Sequence, residues 1–379
     1  MSVTSPAAPE SHLFSALAMG GMHFPNRIVV SPMCQYSARD GVANDWHLQH
    51  LMQLAMSGAG LVMVEATAVE ARGRITHGCL GLYSDAAEAA LSRVLQAARA
   101  VAAPGTRFGI QLGHAGRKGS AQVPWEGGGP LKAGGDGGAP WRCAAPSALP
   151  FAPDWHTPEA LDEAGIEGLV EAYVDAARRA VRLGFDVIEL HCAHGYLLHQ
   201  FQSPLSNRRD DAWGGDAAGR DRLALHIARR LHEQVPGSRV LGARITGTDW
   251  AEGGLGVDDA VRLAQGLKDI GFGYVCVSSG FVVRGERIPF GPGFQVGLAA
   301  QVRRRSGIAT RAVGGISEPA QAAAIVASGQ ADQVALARPF LADPRWVWRA
   351  AETLGITPYY PPPYRRAAGL RKPAMATDA

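Results

Sequence analysis

The side chains best suited to chemistry follow one short apolar segment. His191, His194 and Tyr196 come directly after residues 187–190, which have the composition of a buried parallel strand reached from an amphipathic helix. All three can donate hydrogen bonds near neutral pH, and parallel α/β proteins bind ligands at the carboxyl ends of their strands. The triplet therefore predicts a catalytic site. A metal-binding pair or a hydrogen-bonded structural histidine cluster is the alternative on spacing alone.

Two more polar residues, Gln111 and Arg244, lie on predicted strands at residues 107–112 and 239–245. At these positions their side chains would point into the mouth of a barrel. Because an unpaired buried charge is costly, Arg244 needs an anionic or electron-rich partner. A structural salt bridge would satisfy it. A flavin ring would do so too, because its N1 and O2 gain negative charge on reduction.

A phosphate site is indicated where the last two predicted strands end, at Gly314-Gly315 and at Ala337-Arg338. Small residues let the backbone N–H groups approach an anion, a helix N-terminus attracts it, and Arg338 adds a bidentate donor. Both pairs also occur in ordinary turns. The pattern favours a ligand that carries a phosphate.

These residues require a scaffold that brings many strand ends together. Apolar segments alternate with helical patterns along the chain, in eight strand-then-helix units. No dinucleotide-type G-x-G-x-x-G follows the first strand, so an α/β fold with a closed (β/α)8 TIM barrel is predicted rather than an open doubly wound sheet. The eight strands are predicted at residues 25–31, 61–64, 107–112, 187–190, 239–245, 274–278, 309–313 and 332–336.

A long segment rich in Gly, Pro and Trp interrupts this pattern at about residues 119–158, after the third strand. It exceeds an ordinary barrel loop, and its position predicts a lid or wall on the catalytic face; a flexible insertion without a role is the alternative. We therefore divide the chain into a leader at 1–23, a single barrel domain at 24–357 and a C-terminal tail at 358–379.

The composition is that of an ordinary globular enzyme, with 379 residues, 47% hydrophobic and 19% charged. The net charge of +3 gives no support for binding to nucleic acid or membranes. The five cysteines are scattered, which argues against an iron–sulfur or structural zinc site, and we predict no metal. The N-terminus lacks a signal-peptide pattern, so a cytoplasmic location with reduced thiols is expected.

Segments spread over residues 24–366 share a further pattern. They are FPNRIVVSPMCQYSA, VEATAV, IQLGHAGRK, DVIELHCAHGYLLHQFQSPLSNRRDDAWGG and AVGGISEP followed by ADQVALARPFLADPRW. Together they resemble the old yellow enzyme family of FMN-dependent ene-reductases, and more narrowly its bacterial branch of NADPH dehydrogenases and xenobiotic reductases. Most of the family has Thr where this chain has Cys34, which favours that branch.

The resemblance implies FMN as the bound cofactor and NADPH as the hydride donor. It assigns the flavin ring to Pro32, Met33, Cys34, Ala66, Gln111 and Arg244. It assigns the FMN phosphate to Gly314, Gly315, Ala337 and Arg338. Ala337 stands where the phosphate motif often has Gly, and it is small enough to preserve the approach of the backbone.

The same resemblance implies the reaction. His191 and His194 would bind the carbonyl oxygen of an α,β-unsaturated substrate, and Tyr196 would donate the proton to its α carbon. Tyr36 would contact the substrate, and the thiol of Cys34 would tune the redox potential of FMN. The alternatives are an iron–sulfur flavoprotein, a flavin-binding protein without turnover and a phosphate-binding barrel such as a phosphosugar isomerase or aldolase.

The tail carries a last motif, PYYPPPYRR at residues 358–366. Three consecutive prolines predict an extended path that does not fold back as a helix. Tyr364 and Arg366 have the Y-x-R spacing with which the similar bacterial branch reaches into a neighbouring active site. We therefore predict a homo-oligomer, a dimer or tetramer, in which Arg366 completes the partner's substrate pocket; a disordered tail is the alternative.

Overall fold

Eight parallel strands close into a barrel in the computed structural model, which describes residues 12–135 and 138–368. Each strand pairs with the next along the chain, and the eighth returns to the first through Val334 opposite Ile28. The prediction of a (β/α)8 barrel is therefore confirmed. The strands are β1 (Ile28–Val30), β2 (Leu61–Ala68), β3 (Arg107–Gly113), β4 (Val187–Cys192), β5 (Val240–Thr246), β6 (Tyr274–Ser278), β7 (Ala309–Val313) and β8 (Gln333–Leu336).

Helices alternate with these strands and cover the barrel. Side-chain caps begin several of them, as where Asp162 accepts a hydrogen bond from the backbone of Gly165 at 2.8 Å. The apolar face of the third helix buries Leu169, Val170 and Tyr173 against the sheet. The helices are α1 (Asp45–Ala55), α2 (Asp85–Ala100), α3 (Glu163–Arg182), α4 (Leu197–Gln202), α5 (Ala217–Gln234), α6 (Val257–Ile270), α7 (Val296–Ser306), α8 (Pro319–Ala327), α9 (Arg338–Ala342) and α10 (Trp346–Thr353).

A β-hairpin closes the end of the barrel at which the strands begin. Its strands, Leu17–Met19 and Met22–Phe24, pair antiparallel and span the predicted boundary between the leader and the barrel domain. Met19, Met22 and Phe24 are buried in one cluster with inward side chains such as Val240 and Tyr274. Residues 17–24 therefore pack against the barrel, because their apolar side chains fill the end at which its strands begin.

The Gly- and Pro-rich segment at 119–158 lies against the opposite end, where the strands finish. It contains a short 3-10 helix at Pro124–Glu126 and a two-residue strand, Ala144–Ala145, which pairs with Glu159–Ala160. Ala121, Ala152 and Trp155 form a small apolar cluster of their own. The segment therefore has its own packing, although most of its backbone is irregular.

The tail does not follow the extended path predicted for it. Residues Pro362–Ala367 form a 3-10 helix. Proline suits the first turn of a helix, since its φ is already helical and its missing N–H would have no partner there. Tyr360 and Tyr364 pack edge-on against Trp348 of α10, with ring centroids 4.9 and 5.9 Å away. Prolines at the start of a helical turn were mistaken for an extended segment.

Within the described ranges, no helix is both long and apolar enough to cross a bilayer. The same residues contain no cluster of three or more His, Cys, Asp or Glu side chains arranged to hold a metal ion. All five cysteines are free thiols.

Candidate active site

The predicted site residues converge at the carboxyl ends of the barrel strands. His191 is the last residue but one of β4, and the turn after the strand carries His194 and Tyr196 to the start of α4. Arg244 on β5 lies opposite His191 in register. The sequence order and the right-handed β-then-α connection bring these side chains together, as expected for the ligand-binding end of a barrel.

The two histidines face one another through specific ring atoms. His191 Nε2 lies 3.3 Å from His194 Nδ1. His191 Nδ1 accepts a hydrogen bond from the backbone of Ala193 at 3.3 Å, which leaves Nε2 as its hydrogen-bearing nitrogen. The other ring nitrogen of His194, Nε2, lies 2.6 Å from Ser278 Oγ. The pair is thus held by neighbours on both sides.

Burial decides the charge of this pair. It holds the pKa of both His191 and His194 well below the usual imidazole value, and the positive charge of Arg244 acts in the same direction. Both rings are therefore neutral at pH 7. Neutral imidazoles suit hydrogen-bond donation to a carbonyl oxygen, and no metal-ligand cluster forms around them in the described chain.

Tyr196 stands beside the pair with its phenol protonated. Its ring centroid is 5.0 Å from that of His191, in an edge-on arrangement. Burial raises the pKa of Tyr196 above its usual value, with smaller contributions from Cys34 and Cys79. No hydrogen-bond partner of its hydroxyl occurs among the described residues. The hydroxyl is therefore able to give a proton to a bound molecule.

Lys118 holds the loops around this group, and sequence reasoning assigned it no role. Its Nζ donates to the carbonyl oxygens of His194 at 2.7 Å and Phe281 at 2.9 Å. It also lies 5.2 Å from the ring centroid of Tyr196, within cation–π range. Burial lowers the pKa of Lys118 to about 7. The signal in the sequence was its place in the HAGRK turn directly after β3.

The hydrogen-bond partners of Arg244 indicate whether the barrel mouth fits a flavin. The side chain is 8% exposed, and its Nε is buried without a partner. Its Nη2 makes one long hydrogen bond, 3.4 Å, to Ser278 Oγ. No carboxylate pairs with it among the described residues, so the structural salt bridge is absent there. A buried guanidinium with free donors fits the electron-rich N1 and O2 side of a flavin ring.

A polar network inside the barrel holds the side chain of Gln111 in place. Its Nε2 donates to Glu189 Oε1 at 2.8 Å. Glu189 in turn accepts from Tyr274 Oη at 2.7 Å and pairs with Arg311 at 3.1 Å. This network lies on strands whose sequences indicated only apolar segments, so it was not predicted. It fixes the amide of Gln111 so that its oxygen remains available on the other side.

The segment after β1 supplies the remaining ring-side candidates. Met33 and the half-buried Cys34 lie there, and Ala66 stands at a bulge in β2, where the pairing with β3 shifts register. Burial raises the pKa of the Cys34 thiol well above its usual value, followed by the effect of Glu65. Cys34 is therefore a neutral thiol in this environment. Pro32 precedes this pair in the same half-buried loop.

Tyr36 joins the catalytic group through a shared pocket of about 190 Å³. The pocket is also lined by Tyr196, Lys118 and the insertion residues Phe151 and Trp155. From the same insertion, Trp125 packs edge-on against Tyr36 at 5.8 Å. The long segment after β3 thus forms part of the wall of this pocket.

The proposed phosphate site lies where β7 and β8 end. Gly314 and Gly315 adopt φ angles of +96° and +64°. A Cβ on Gly315 would strike the carbonyl oxygen of Gly291, and one on Gly314 would strike Gln295. The two glycines therefore allow close loop packing as well as an exposed backbone. Ala337 caps α9, and Arg338 begins it with an exposed side chain.

Arg366 lies on the tail rather than on a barrel strand or a loop that follows one. It is exposed on the 3-10 helix Pro362–Ala367, and no contact with His191, His194 or Tyr196 is found among the described residues.

The barrel mouth has features that suit a flavin-dependent oxidoreductase: an arginine without a carboxylate partner, a neutral histidine pair, and two glycines with positive φ where β7 ends. Comparison with known proteins agrees. The model of the NADH:flavin oxidoreductase / NADH oxidase family matches residues 12–356. The chain therefore belongs to that family, and it is an FMN-dependent oxidoreductase.

Individual relatives support a narrower class. An NADPH dehydrogenase of Listeria innocua is 41% identical over 359 residues, which cover 94% of this chain and 99% of the relative. One from a Geobacillus species is 42% identical over 350 residues, 92% of this chain and 96% of the relative. The structure of morphinone reductase in complex with tetrahydroNAD is 29% identical, covers 93% of both chains and has a TM-score of 0.73. The resemblance to the old yellow enzyme family is thus confirmed, with NADPH as the reductant.

Proposed function

We propose that this protein uses NADPH to reduce the activated C=C bond of α,β-unsaturated carbonyl compounds. The observation that carries this proposal is the pair of neutral imidazoles whose facing nitrogens, His191 Nε2 and His194 Nδ1, lie 3.3 Å apart next to the phenol of Tyr196. Reduction of an enone needs hydrogen-bond donors at its carbonyl oxygen and an acid at its α carbon. The histidine pair and Tyr196 would supply them.

The histidine pair would bind the carbonyl oxygen of the substrate. Negative charge develops on that oxygen as the β carbon receives hydride, and donors fixed in advance stabilise it without reorganising. His191 is buried and His194 half-buried beside Arg244, and this low-dielectric setting strengthens their effect. The neutral state matters because it keeps each ring a hydrogen-bond donor rather than a competing proton source.

Tyr196 would protonate the α carbon. Its raised pKa keeps the phenol protonated at working pH, and its ring is edge-on to the histidine that binds the oxygen. FMN, when bound, supplies the redox chemistry, taking hydride from NADPH and passing it to the substrate. Pro32, Met33, Cys34, Ala66, Gln111 and Arg244 would hold its ring, and Gly314, Gly315, Ala337 and Arg338 its phosphate.

The insertion and the tail complete the proposed pocket. Tyr36, Phe151 and Trp155 would contact the part of the substrate beyond the carbonyl, since they line the cavity next to Tyr196. Arg366 would enter the pocket of a neighbouring subunit in a dimer or tetramer. The support for this last step is that Arg366 is exposed and held on a tail whose tyrosines are docked on Trp348.

The test is anaerobic turnover of the FMN-loaded protein with NADPH and 2-cyclohexenone, followed by identification of cyclohexanone. An allylic alcohol with the same C=C bond serves as the control, because it offers no carbonyl oxygen to the histidine pair. We expect reduction of the enone alone. NADPH consumption that depends on oxygen but not on the enone would contradict the proposal.

A further inference from the structure

Two peptide groups join His194 to Tyr196, and their orientation sets the imidazole of one residue relative to the phenol of the other. The second peptide, between Gly195 and Tyr196, is held at both polar atoms. Its carbonyl oxygen accepts from Nε2 of Gln200 at 2.7 Å. Its N–H donates to the carbonyl oxygen of Ala193 at 3.1 Å. This half of the connection is therefore fixed by its neighbours in the sequence.

The first peptide, between His194 and Gly195, is held by two side chains. Its oxygen accepts from Nζ of Lys118 at 2.7 Å, and its N–H donates to Nδ1 of His199 at 2.8 Å. An ammonium and a peptide N–H can only donate, so both directions are unambiguous. His199 is held in turn by Asp249, whose Oδ1 lies 2.7 Å from Nε2 of the ring.

The backbone at this peptide needs such support. His194 and Gly195 have φ angles of +58° and +70°. A positive φ is unfavourable for a residue with a Cβ, whereas glycine adopts either sign of φ with similar ease. The conformational preferences of the two residues therefore do not keep the peptide in this orientation, and the hydrogen bonds at its two ends must do so.

Lys118 also neutralises a meeting of two carbonyl groups. Its Nζ donates to the carbonyl oxygen of Phe281 at 2.9 Å, in the loop that follows β6. This loop packs closely on the peptide, since a Cβ on Gly195 would lie 2.0 Å from the same oxygen. Two carbonyl oxygens thus converge on one ammonium. Without it, their like partial charges would push the His194 peptide and the β6 loop apart.

We propose that Lys118 is a positioning residue, which together with His199 holds the His194–Gly195 peptide and so fixes the imidazole of His194 relative to the phenol of Tyr196. If the peptide rotates, the two rings no longer present their polar atoms to one bound molecule. That this molecule is an enone, bound through its oxygen and protonated at its α carbon, rests on the proposed function.

The direct test uses the two His–Gly pairs of the sequence, at 77–78 and 194–195. Labelling histidine with 13C and glycine with 15N restricts carbonyl-to-amide NMR correlations of the FMN-loaded protein to these two peptides, and His77→Asn removes the signal of the other one. In the unchanged protein the Gly195 amide should be strongly protected from exchange with solvent. Exchange at the rate of an unstructured amide overturns the inference without any substitution at Lys118.

Lys118→Met removes the donor and keeps an unbranched side chain. Burial lowers the pKa of Lys118 to about 7, so exchange is measured at pH 6, where the amine is charged. Losing a hydrogen bond from a charged group should speed exchange of the Gly195 amide by ~10–150-fold. It should also shift the carbonyl signal of His194 and leave the signal of Gly78 unchanged. An unchanged Gly195 amide overturns the inference.

Arg117→Met is the matched control. Arg117 precedes Lys118 in the same 3-10 helix, Gly116–Lys118, and its Nη2 donates to the carbonyl oxygen of Val282 at 2.7 Å. It therefore loses a cation–carbonyl bond to the same β6 loop but none to the His194–Gly195 peptide. If Arg117→Met speeds exchange of the Gly195 amide as much as Lys118→Met does, general loosening of the loops explains the effect and the inference fails.

Added amines separate hydrogen-bond donation from charge. In Lys118→Ala, ethylammonium has N–H groups to offer at the vacated position and should restore protection of the Gly195 amide. Tetramethylammonium carries the same charge without an N–H and should not. Equal restoration by both cations overturns the role of Lys118 as a donor to this peptide.

The consequence for the reaction is measured by stopped-flow absorbance. Reoxidation of the reduced Lys118→Met protein by an enone should slow by up to ~10–150-fold, because only molecules with the peptide in place present both groups. FMN content should not change. An unchanged rate, despite a faster-exchanging Gly195 amide, overturns the positioning role. If the unchanged protein reduces no enone but its Gly195 amide responds as expected, the proposed function fails and the role of Lys118 in holding the peptide stands.

Discussion

Replacing Arg244 by Met should affect the stability of the FMN-free protein and its affinity for FMN in opposite directions. The guanidinium is 8% exposed, has one hydrogen bond of 3.4 Å and a buried Nε without a partner. A buried polar group left unsatisfied costs ~1–3 kcal/mol. Methionine has a flexible side chain that fills irregular space without polar atoms. The FMN-free variant should therefore be more stable by an amount of that order.

The affinity for FMN should fall in the same variant. If Arg244 donates to the flavin, the substitution removes a charge-assisted hydrogen bond worth ~1.5–3 kcal/mol, which raises the dissociation constant ~10–150-fold. A residue that only supports the fold would weaken both properties together. A gain in stability of the FMN-free protein together with a loss of FMN affinity therefore distinguishes a ligand-binding arginine from a structural one.

Arg311→Met is the matched control in the same barrel. Arg311 is 1% exposed, but its Nη1 pairs with Glu189 at 3.1 Å and its Nη2 donates to Gln333 at 3.0 Å. Its removal leaves the buried carboxylate of Glu189 without its counter-charge, although Gln111 and Tyr274 still donate to it; breaking a buried ion pair in this way costs ~3–5 kcal/mol. This variant should be destabilised with or without FMN.

The assay is urea unfolding of the FMN-free proteins, compared through midpoint and slope, and titration with FMN followed by quenching of flavin fluorescence. Suppose Arg244→Met unfolds at lower urea than the unchanged protein, as Arg311→Met should, and binds FMN as tightly as before. Arg244 would then have a partner that holds its guanidinium in the FMN-free state, contrary to the prediction.

Four further changes test the site. Tyr196→Phe should slow reoxidation by an enone but leave flavin reduction by NADPH nearly intact in stopped-flow absorbance; equal slowing of both would make Tyr196 a structural residue. Cys34→Ala should keep FMN bound but shift its reduction potential, and an unchanged potential would reduce Cys34 to packing. Burial raises the pKa of Glu65 to about 8. Only the folded state then keeps this proton between pH 4.5 and about 8, so stability falls by up to ~1.4 kcal/mol per pH unit as pH rises through that window. Glu65→Gln should flatten this slope in urea unfolding from pH 5 to 8, and an unchanged slope would show that another group carries it. Arg366→Ala should weaken substrate binding without altering FMN content; unchanged Michaelis constants for several enones would refute the shared pocket.

The barrel was predictable because its strands are short apolar segments at regular intervals. Residues 187–190 and 310–313 are buried on both faces, so their sequences have no alternating pattern and stand out from the amphipathic helices between them. The positions of His191, His194 and Tyr196 followed from the same logic, because each comes where such a segment ends.

What the sequence did not reveal depends on contacts between distant segments. Lys118 bonds to carbonyl oxygens 76 and 163 residues away, and Ser278 reaches His194 across 84 residues. Backbone carbonyls carry no sequence signal, so the partners of such residues cannot be inferred from residue type. The polar network of Glu189 and Arg311 was missed because each is the one acidic or guanidinium side chain within a mostly apolar strand.

The tail shows a different limit. A row of prolines fixes φ but leaves ψ open, and the same φ serves an extended segment and the first turn of a helix. Trp348, against which Tyr360 and Tyr364 pack, decides between them. Local sequence gave no indication of that contact.

The pairing of the first barrel strand with the last imposes an order on folding. Arg27 donates to the carbonyl oxygen of Asp332 across 305 residues, and Ile28 stands opposite Val334. During synthesis β1 therefore waits, with one edge unpaired, until nearly the whole chain has been made. Exposed strand edges recruit other chains, and contacts this far apart form slowly. Shortening the chain before β8 should therefore yield aggregates rather than a smaller, partly active barrel.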